Sequence, residues 1–196
     1  AAKCHITVLA SQRLCTVHTE LTVCNEATPG SVAATLRFPL PAGAAVCELS
    51  IEHDSKIIEA VSVPKRLAAE VAYKEKEKGR SVGTTRHVSG SVWQVELYPL
   101  PHGVRQRVCV AYVCELVAAE HALALHVPLA FTADVDMSAE VQIAGTSEPV
   151  VAYEAAKTRL VHGLQLTVPD DRTTSDAALV FAPGATAAVA HFSAFV

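Results

Sequence analysis

Aromatic side chains are scarce in this chain of 196 residues, where five Phe, four Tyr and one Trp amount to 5% of the total. A core built from it must rest on smaller apolar groups, and the many valines favour strands because β-branched side chains suit a pleated surface. Positive charge is also short, with 16 Lys and Arg against 20 Asp and Glu and no basic block. The attraction that drives binding to a phosphate backbone is therefore missing, which argues against nucleic acid as a partner. No apolar run approaches the roughly 20 residues that a membrane-crossing helix needs, so no membrane insertion is expected. Residues 1–10 are interrupted by Lys3, His5 and Thr7 and carry no evident targeting segment.

Short sequence signals are missing too. The one asparagine, Asn25, is followed by Glu26 and Ala27, so there is no glycosylation acceptor. Six cysteines and nine histidines form neither a C-x-x-C nor an H-x-x-x-H spacing. Tetrahedral metal sites rely on such close spacings, and neither a metal nor another cofactor is expected. Cys109 and Cys114 lie five apart in one strand-like run and should face opposite ways, as should Cys15 and Cys24. The expectation is a reducing interior with free, buried thiols, hence a cytoplasmic location. The alternative is a secreted sandwich stapled by disulfides.

What is present is apolar pattern. A hydrophobic content of 51% with 18% charged residues supports a folded chain, since it offers enough apolar surface to offset the entropy of ordering. Arg13 to Val23 alternates, with Cys15, Val17, Thr19, Leu21 and Val23 on one face. Residues 33–38, 46–51, 56–63 and 92–97 read as further strands, and Val108, Val110, Tyr112 and Cys114 share a face after a Pro101-His102-Gly103 turn. Leu123 to Phe131 continues the alternation, and five shorter strand-like runs follow before Val196. One segment breaks the pattern. Pro64 suits a first helical turn, Leu67 and Val71 share a helical face, and Gly79 can supply a left-handed stop, which predicts a helix over 64–78. The fold class that follows is mostly β, an antiparallel β-sandwich with one short helix. Strand-like sequence reaches both ends, as expected for a piece of something larger.

In order, the turn Phe38-Pro39-Leu40, the strands after it, the helical segment with Ala69 four residues before Tyr73, Gly79, and the strands from Val92 to Tyr112 resemble a VIT domain, the vault protein and inter-alpha-trypsin module. The resemblance spans roughly residues 14 to 130. In this chain Lys74 to Lys78, between Tyr73 and Gly79, are all charged, where family members carry one more residue and an alanine. The resemblance implies a VIT-type sandwich over 1–131, with 132–196 completing it or forming a small second sheet. Such modules occur in inter-alpha-trypsin inhibitor heavy chains, in the vault-associated poly(ADP-ribose) polymerase and in intracellular proteins with von Willebrand A domains. It therefore implies a non-enzymatic interaction or scaffolding module of a larger chain, docking against a protein partner or a neighbouring domain.

Three local motifs compete with that reading. Gly79-Arg80-Ser81-Val82-Gly83 spells the G-x-S-x-G elbow of serine hydrolases, but it follows a helix and leads into a strand, the reverse of that fold. A hydrolase using Ser81, or a cysteine with a histidine, is the enzymatic alternative, although no cysteine here has neighbours that would lower a thiol pKa. Asp136-Met137-Ser138-Ala139-Glu140 resembles the start of a von Willebrand A metal site, with Glu140 in place of the last serine, and is read as a strand-entry turn. Lys74-Glu75-Lys76-Glu77-Lys78 reads first as a solvated helix end. Its functional rival is a partner-binding surface made by Lys74 and Lys76 with Arg80, Arg86 and His87 in the following loop.

Overall fold

The computed structural model describes residues 2–53, 56–60, 65–78, 82–119, 122–129, 131, 134–144, 151–159, 163–169, 179–180 and 189–190. The chain is mostly β. Its first strands are β1 (Ala2–Ser11), β2 (Leu14–Cys24), β3 (Ser31–Pro39), β4 (Ala45–His53) and β5 (Lys56–Glu59). The helix α1 (Lys65–Glu77) follows, then β6 (Val82–Ser89), β7 (Val92–Pro101), β8 (Arg105–Glu115), β9 (Val117–Ala119) and β10 (Ala122–Val127). The later strands are β11 (Val135–Ile143), β12 (Val151–Thr158), β13 (Leu164–Pro169), β14 (Leu179–Val180) and β15 (Val189–Ala190).

A seven-stranded sheet in the order β12-β11-β1-β2-β8-β4-β5 carries the architecture, with three-stranded sheets β3-β7-β6 and β13-β10-β9 and a two-stranded pair β14-β15. Pairing in the large sheet is antiparallel except at β1 and β11, which run parallel with Val8 opposite Val141. A parallel pair needs a long crossover, and the chain between β1 and β11 provides one. Strand alternation sorts the two faces. Val141, Val8, Val17, Tyr112 and Val46 align across five strands on the inner face. One pleat away, Ser138, His5, Glu20, Cys109 and Ser50 align on the outer face.

The inner row belongs to one apolar core that also takes in Val95 and Leu97 from β7, Leu123, Leu125 and Val127 from β10, and Leu164 and Leu166 from β13. Residues such as Ile6, Val8 and Val17 are fully buried, each worth about 1.5–3 kcal/mol of transfer free energy. The expected inward set Val108, Val110, Tyr112 and Cys114 is buried as a unit.

Several local expectations are corrected. Arg86 and His87 sit on β6, paired along β7, instead of on a loop, because the β-branched residues Val82, Thr84 and Thr85 meet Tyr98, Glu96 and Val95 across the ladder. Asp136 to Glu140 lies inside β11 and is no entry turn, since its apolar residues Met137 and Ala139 are drawn into the core. Thiol burial holds for Cys4, Cys15 and Cys114, whereas Cys47 is exposed. The ladder between β4 and β8 shifts register at Val46/Glu48, and this bulge turns Cys47 out of the inner row. Pro64, Gly79, Arg80 and Ser81, and with them the proposed helix caps and the G-x-S motif, lie outside the described residues.

Candidate functional site

Helix α1 packs against β6. Ala72 turns inward and is buried, while Val71 is 50% and Tyr73 66% exposed. A half-exposed valine and a still more exposed tyrosine on one helix leave apolar surface for which the described core has no use. Val71 therefore does not serve the inward face that its spacing from Leu67 suggests; the side chain of Leu67 lies outside the described residues.

The charged segment behaves as a solvated helix end. Lys74 Nζ donates to Glu70 Oε1 at 2.7 Å, four residues back, and Lys78 Nζ donates to Glu75 Oε1 at 2.7 Å, three back. Glutamate on the N-terminal side of lysine is the favourable order, and at this exposure each pair contributes about 0.5 kcal/mol or less. Lys74 is thus already neutralised locally. His87 is exposed, shares a 2.6 Å hydrogen bond between Nε2 and the Gly90 carbonyl, and meets Trp93 edge to face at 5.6 Å between ring centres. Trp93 is half-buried against the core, so the pair marks the rim of β6 and β7. The backbone of Lys76 and Arg86 belongs to α1 and β6; their side chains, and all of Arg80, lie outside the described residues.

A second polar assembly, which sequence reasoning missed, occupies the outer face of the large sheet. Arg107 donates through Nε to Glu52 at 2.6 Å and through Nη1 to Glu20 at 3.2 Å. The hydrogen bonds it donates to Glu52 and then to Glu20 hold its pKa above the ordinary arginine value. Glu48 and Glu59 line the same shallow pocket. His5 Nδ1 and Ser138 Oγ lie 2.7 Å apart in a hydrogen bond whose direction depends on the ring tautomer. A serine beside a histidine has the reach of a nucleophile and base, but the ring's other nitrogen meets the Thr7 hydroxyl at 3.2 Å instead of an orienting carboxylate. Only the register of β1 against β11 brings this pair together, and nothing local in the sequence signals it.

Among the described residues no group of three His, Cys, Asp or Glu side chains could hold a metal ion, and no helix is long and apolar enough to cross a membrane. No curated protein matches the chain. A family model does, over residues 2–112, from the first strand to Tyr112 within β8. The match takes in β1, which lies before the segment that carries the resemblance in sequence, and ends ahead of β9. Because it spans more than half of the 196 residues, the chain belongs to the vault protein inter-alpha-trypsin (VIT) domain family.

Proposed function

We propose that the chain is a non-enzymatic docking or scaffolding module of a longer cytoplasmic protein that carries a von Willebrand A domain, and that α1 with β6 forms its docking surface. The observation that carries this reading is the exposure of Val71 and of Tyr73, which flank the buried Ala72 on its two sides of α1. Apolar groups surrounded by charge are the usual anatomy of a protein interface, with the apolar centre supplying affinity and the rim supplying orientation. Lys74, Lys76, Arg80, Arg86 and His87 would form the rim, and the partner would be a protein or a neighbouring domain with an apolar spot ringed by carboxylates. Membership in the family supports a modular role but does not name an activity.

The test is affinity capture from native extract with three baits: wild type, Val71→Ser with Tyr73→Ser, and a variant with Lys74, Lys76, Arg80 and Arg86 all changed to glutamate. The expected result is one specific partner held by wild type and lost by both variants, each with an unchanged melting temperature. Retention of that partner by both variants would move docking away from α1. Capture of nothing by wild type would overturn docking to a separate protein and leave a domain of the same chain as the partner.

A further inference from the structure

All six cysteines of the fold are free thiols, and the strand registers set just two of them face to face. Cys4 lies opposite Leu21 and Met137, Cys24 opposite Arg105, and Cys109 opposite Glu20 and Ser50. Cys47 falls in the bulge between Val46 and Glu48 and has no rung of its own. Cys15 on β2 differs from these four: its rung on β8 is Cys114, and the two sulfurs lie 3.5 Å apart.

Directly opposed residues of an antiparallel pair have Cα atoms about 4.5–5.5 Å apart. Disulfides span Cα separations of about 4.4–6.8 Å with their sulfurs about 2.0 Å apart, so rotation of the two side chains, with little movement of the strands, closes the present gap. Burial sets the route by which such a bond can form. A thiol attacks a disulfide as its thiolate, and in the folded chain Cys15 is held protonated and out of reach of solvent. Exchange therefore belongs to the unfolded or folding chain, where both thiols meet solvent and titrate near the ordinary value of about 8.5.

We propose that Cys15 and Cys114 are a disulfide site: a chain that folds in the presence of a small-molecule disulfide such as glutathione disulfide joins them, and the finished fold then shields the bond. The Cys15 thiolate attacks one sulfur of glutathione disulfide, which forms a mixed disulfide and releases a glutathione thiolate that takes up the proton Cys15 has lost. The Cys114 thiolate then attacks the Cys15 sulfur, forming the protein disulfide and releasing the second glutathione. In all, the two protein thiols lose two electrons and two protons, and one glutathione disulfide becomes two glutathiones. The bond joins residues 99 apart in sequence, so it constrains about half of the unfolded chain. In a reducing cytoplasm both groups stay as thiols, so the site records the redox state in which the chain folds. It is independent of α1 and its surface.

The experiment unfolds the 196-residue chain in urea and refolds it by dilution, once with reduced glutathione alone and once with glutathione disulfide added, then maps the non-reduced digest by tandem mass spectrometry. Refolding with the oxidant should give one protein disulfide, Cys15 to Cys114, with Cys4, Cys24, Cys47 and Cys109 joined to no other cysteine of the chain. The unfolding constant of this form in urea should be at least about tenfold smaller than that of the reduced chain, and Cys114→Ala should remove the difference, with Cys15→Ala as the second variant if the first does not fold. Reduced glutathione should open the bond at least about tenfold faster in urea than in native buffer. Absence of any protein disulfide after refolding with the oxidant overturns the proposal, as does a bond joining any other two cysteines. So does a bond from Cys15 to Cys114 that leaves the unfolding constant unchanged or larger, and so does equal opening in urea and in native buffer.

Discussion

Cys15 on β2 and Cys114 on β8 stand directly opposite each other with their sulfurs 3.5 Å apart, both buried in the core. The Cys15 thiol also reaches the Cys114 carbonyl at 3.6 Å. Its hydrogen bond to Cys114 and then burial push its pKa well up, so it remains protonated and unreactive at neutral pH. Cys47, by contrast, is turned to the surface by the β4 bulge.

Thiol reactivity should follow that division. In native protein at pH 8, Cys47 should react first with a disulfide reagent, Cys24 and Cys109 more slowly, and Cys4, Cys15 and Cys114 only after unfolding. Mass mapping of the labelled cysteines checks the order. Fast labelling at Cys15 or Cys114 would contradict their burial.

Alkaline pH should weaken the fold in a defined window. Burial raises the pKa of Cys4 from 9.0 to about 12. In the unfolded chain this thiol loses its proton near 9, while in the folded chain it keeps it until about 12. The folded state then holds more protons, so stability is complete below about pH 9 and declines as pH rises toward 12. Each pH unit inside the window removes up to about 1.4 kcal/mol from this group. Tyr112 is raised by burial in the same sense and adds to the decline. Urea midpoints at pH 8, 9, 10 and 11 should fall progressively, with a shallower fall in Cys4→Ala.

Gly163 should be intolerant of any side chain. Its φ is +81°, and a Cβ there would lie 2.6 Å from His126 Nε2, 2.6 Å from the Val127 carbonyl oxygen and 3.1 Å from Pro128 Cα. The imidazole can turn aside, but the backbone of β10 cannot without disturbing its pairing with β13. Gly43, at φ +78° with open space around it, is the control. Gly163→Ala should destabilise by more than about 2 kcal/mol and Gly43→Ala by about 1 kcal/mol, measured by chemical denaturation. Equal losses would mean that backbone conformation alone, and not the close approach to β10, explains Gly163.

Burial by alternation was legible in the sequence because one face of each core strand is apolar. Val108, Val110, Tyr112 and Cys114 show it, and so do Leu123, Leu125 and Val127. Strand β6 was not legible, since Gly83, Thr84, Thr85, Arg86 and His87 carry little apolar pattern and gain their conformation from pairing with β7. The family, too, could be read from the order of elements around α1. The parallel neighbours β1 and β11, the opposition of Cys15 and Cys114 and the meeting of His5 with Ser138 depend on register between distant segments, which local periodicity cannot express. The site on α1 was only half legible: the charge run is plain, but the exposure of Val71 and Tyr73 follows from how the helix sits on β6.

The one asparagine of the chain supplies the sharpest polar test. Asn25 is 7% exposed, and its amide nitrogen donates to the carbonyls of Thr28 at 2.9 Å, Gly30 at 3.3 Å and Leu100 at 3.4 Å. Its side-chain oxygen accepts from the Thr28 N–H at 3.0 Å, closing the turn between β2 and β3. The same residue's backbone carbonyl accepts from Gly103 N–H at 2.9 Å, which ties this turn to the one between β7 and β8. Asn25→Asp keeps the shape but replaces a donor by a carboxylate oxygen facing three carbonyl oxygens. It should cost about 3 kcal/mol at pH 7, more than Asn25→Ala, because it leaves a charge unpaired as well as acceptors unsatisfied. Protonation should recover part of the loss, so the gap between wild type and Asn25→Asp should narrow below pH 5. A gap that stays constant with pH would show that the carboxylate has turned out to solvent and no longer faces the three carbonyls.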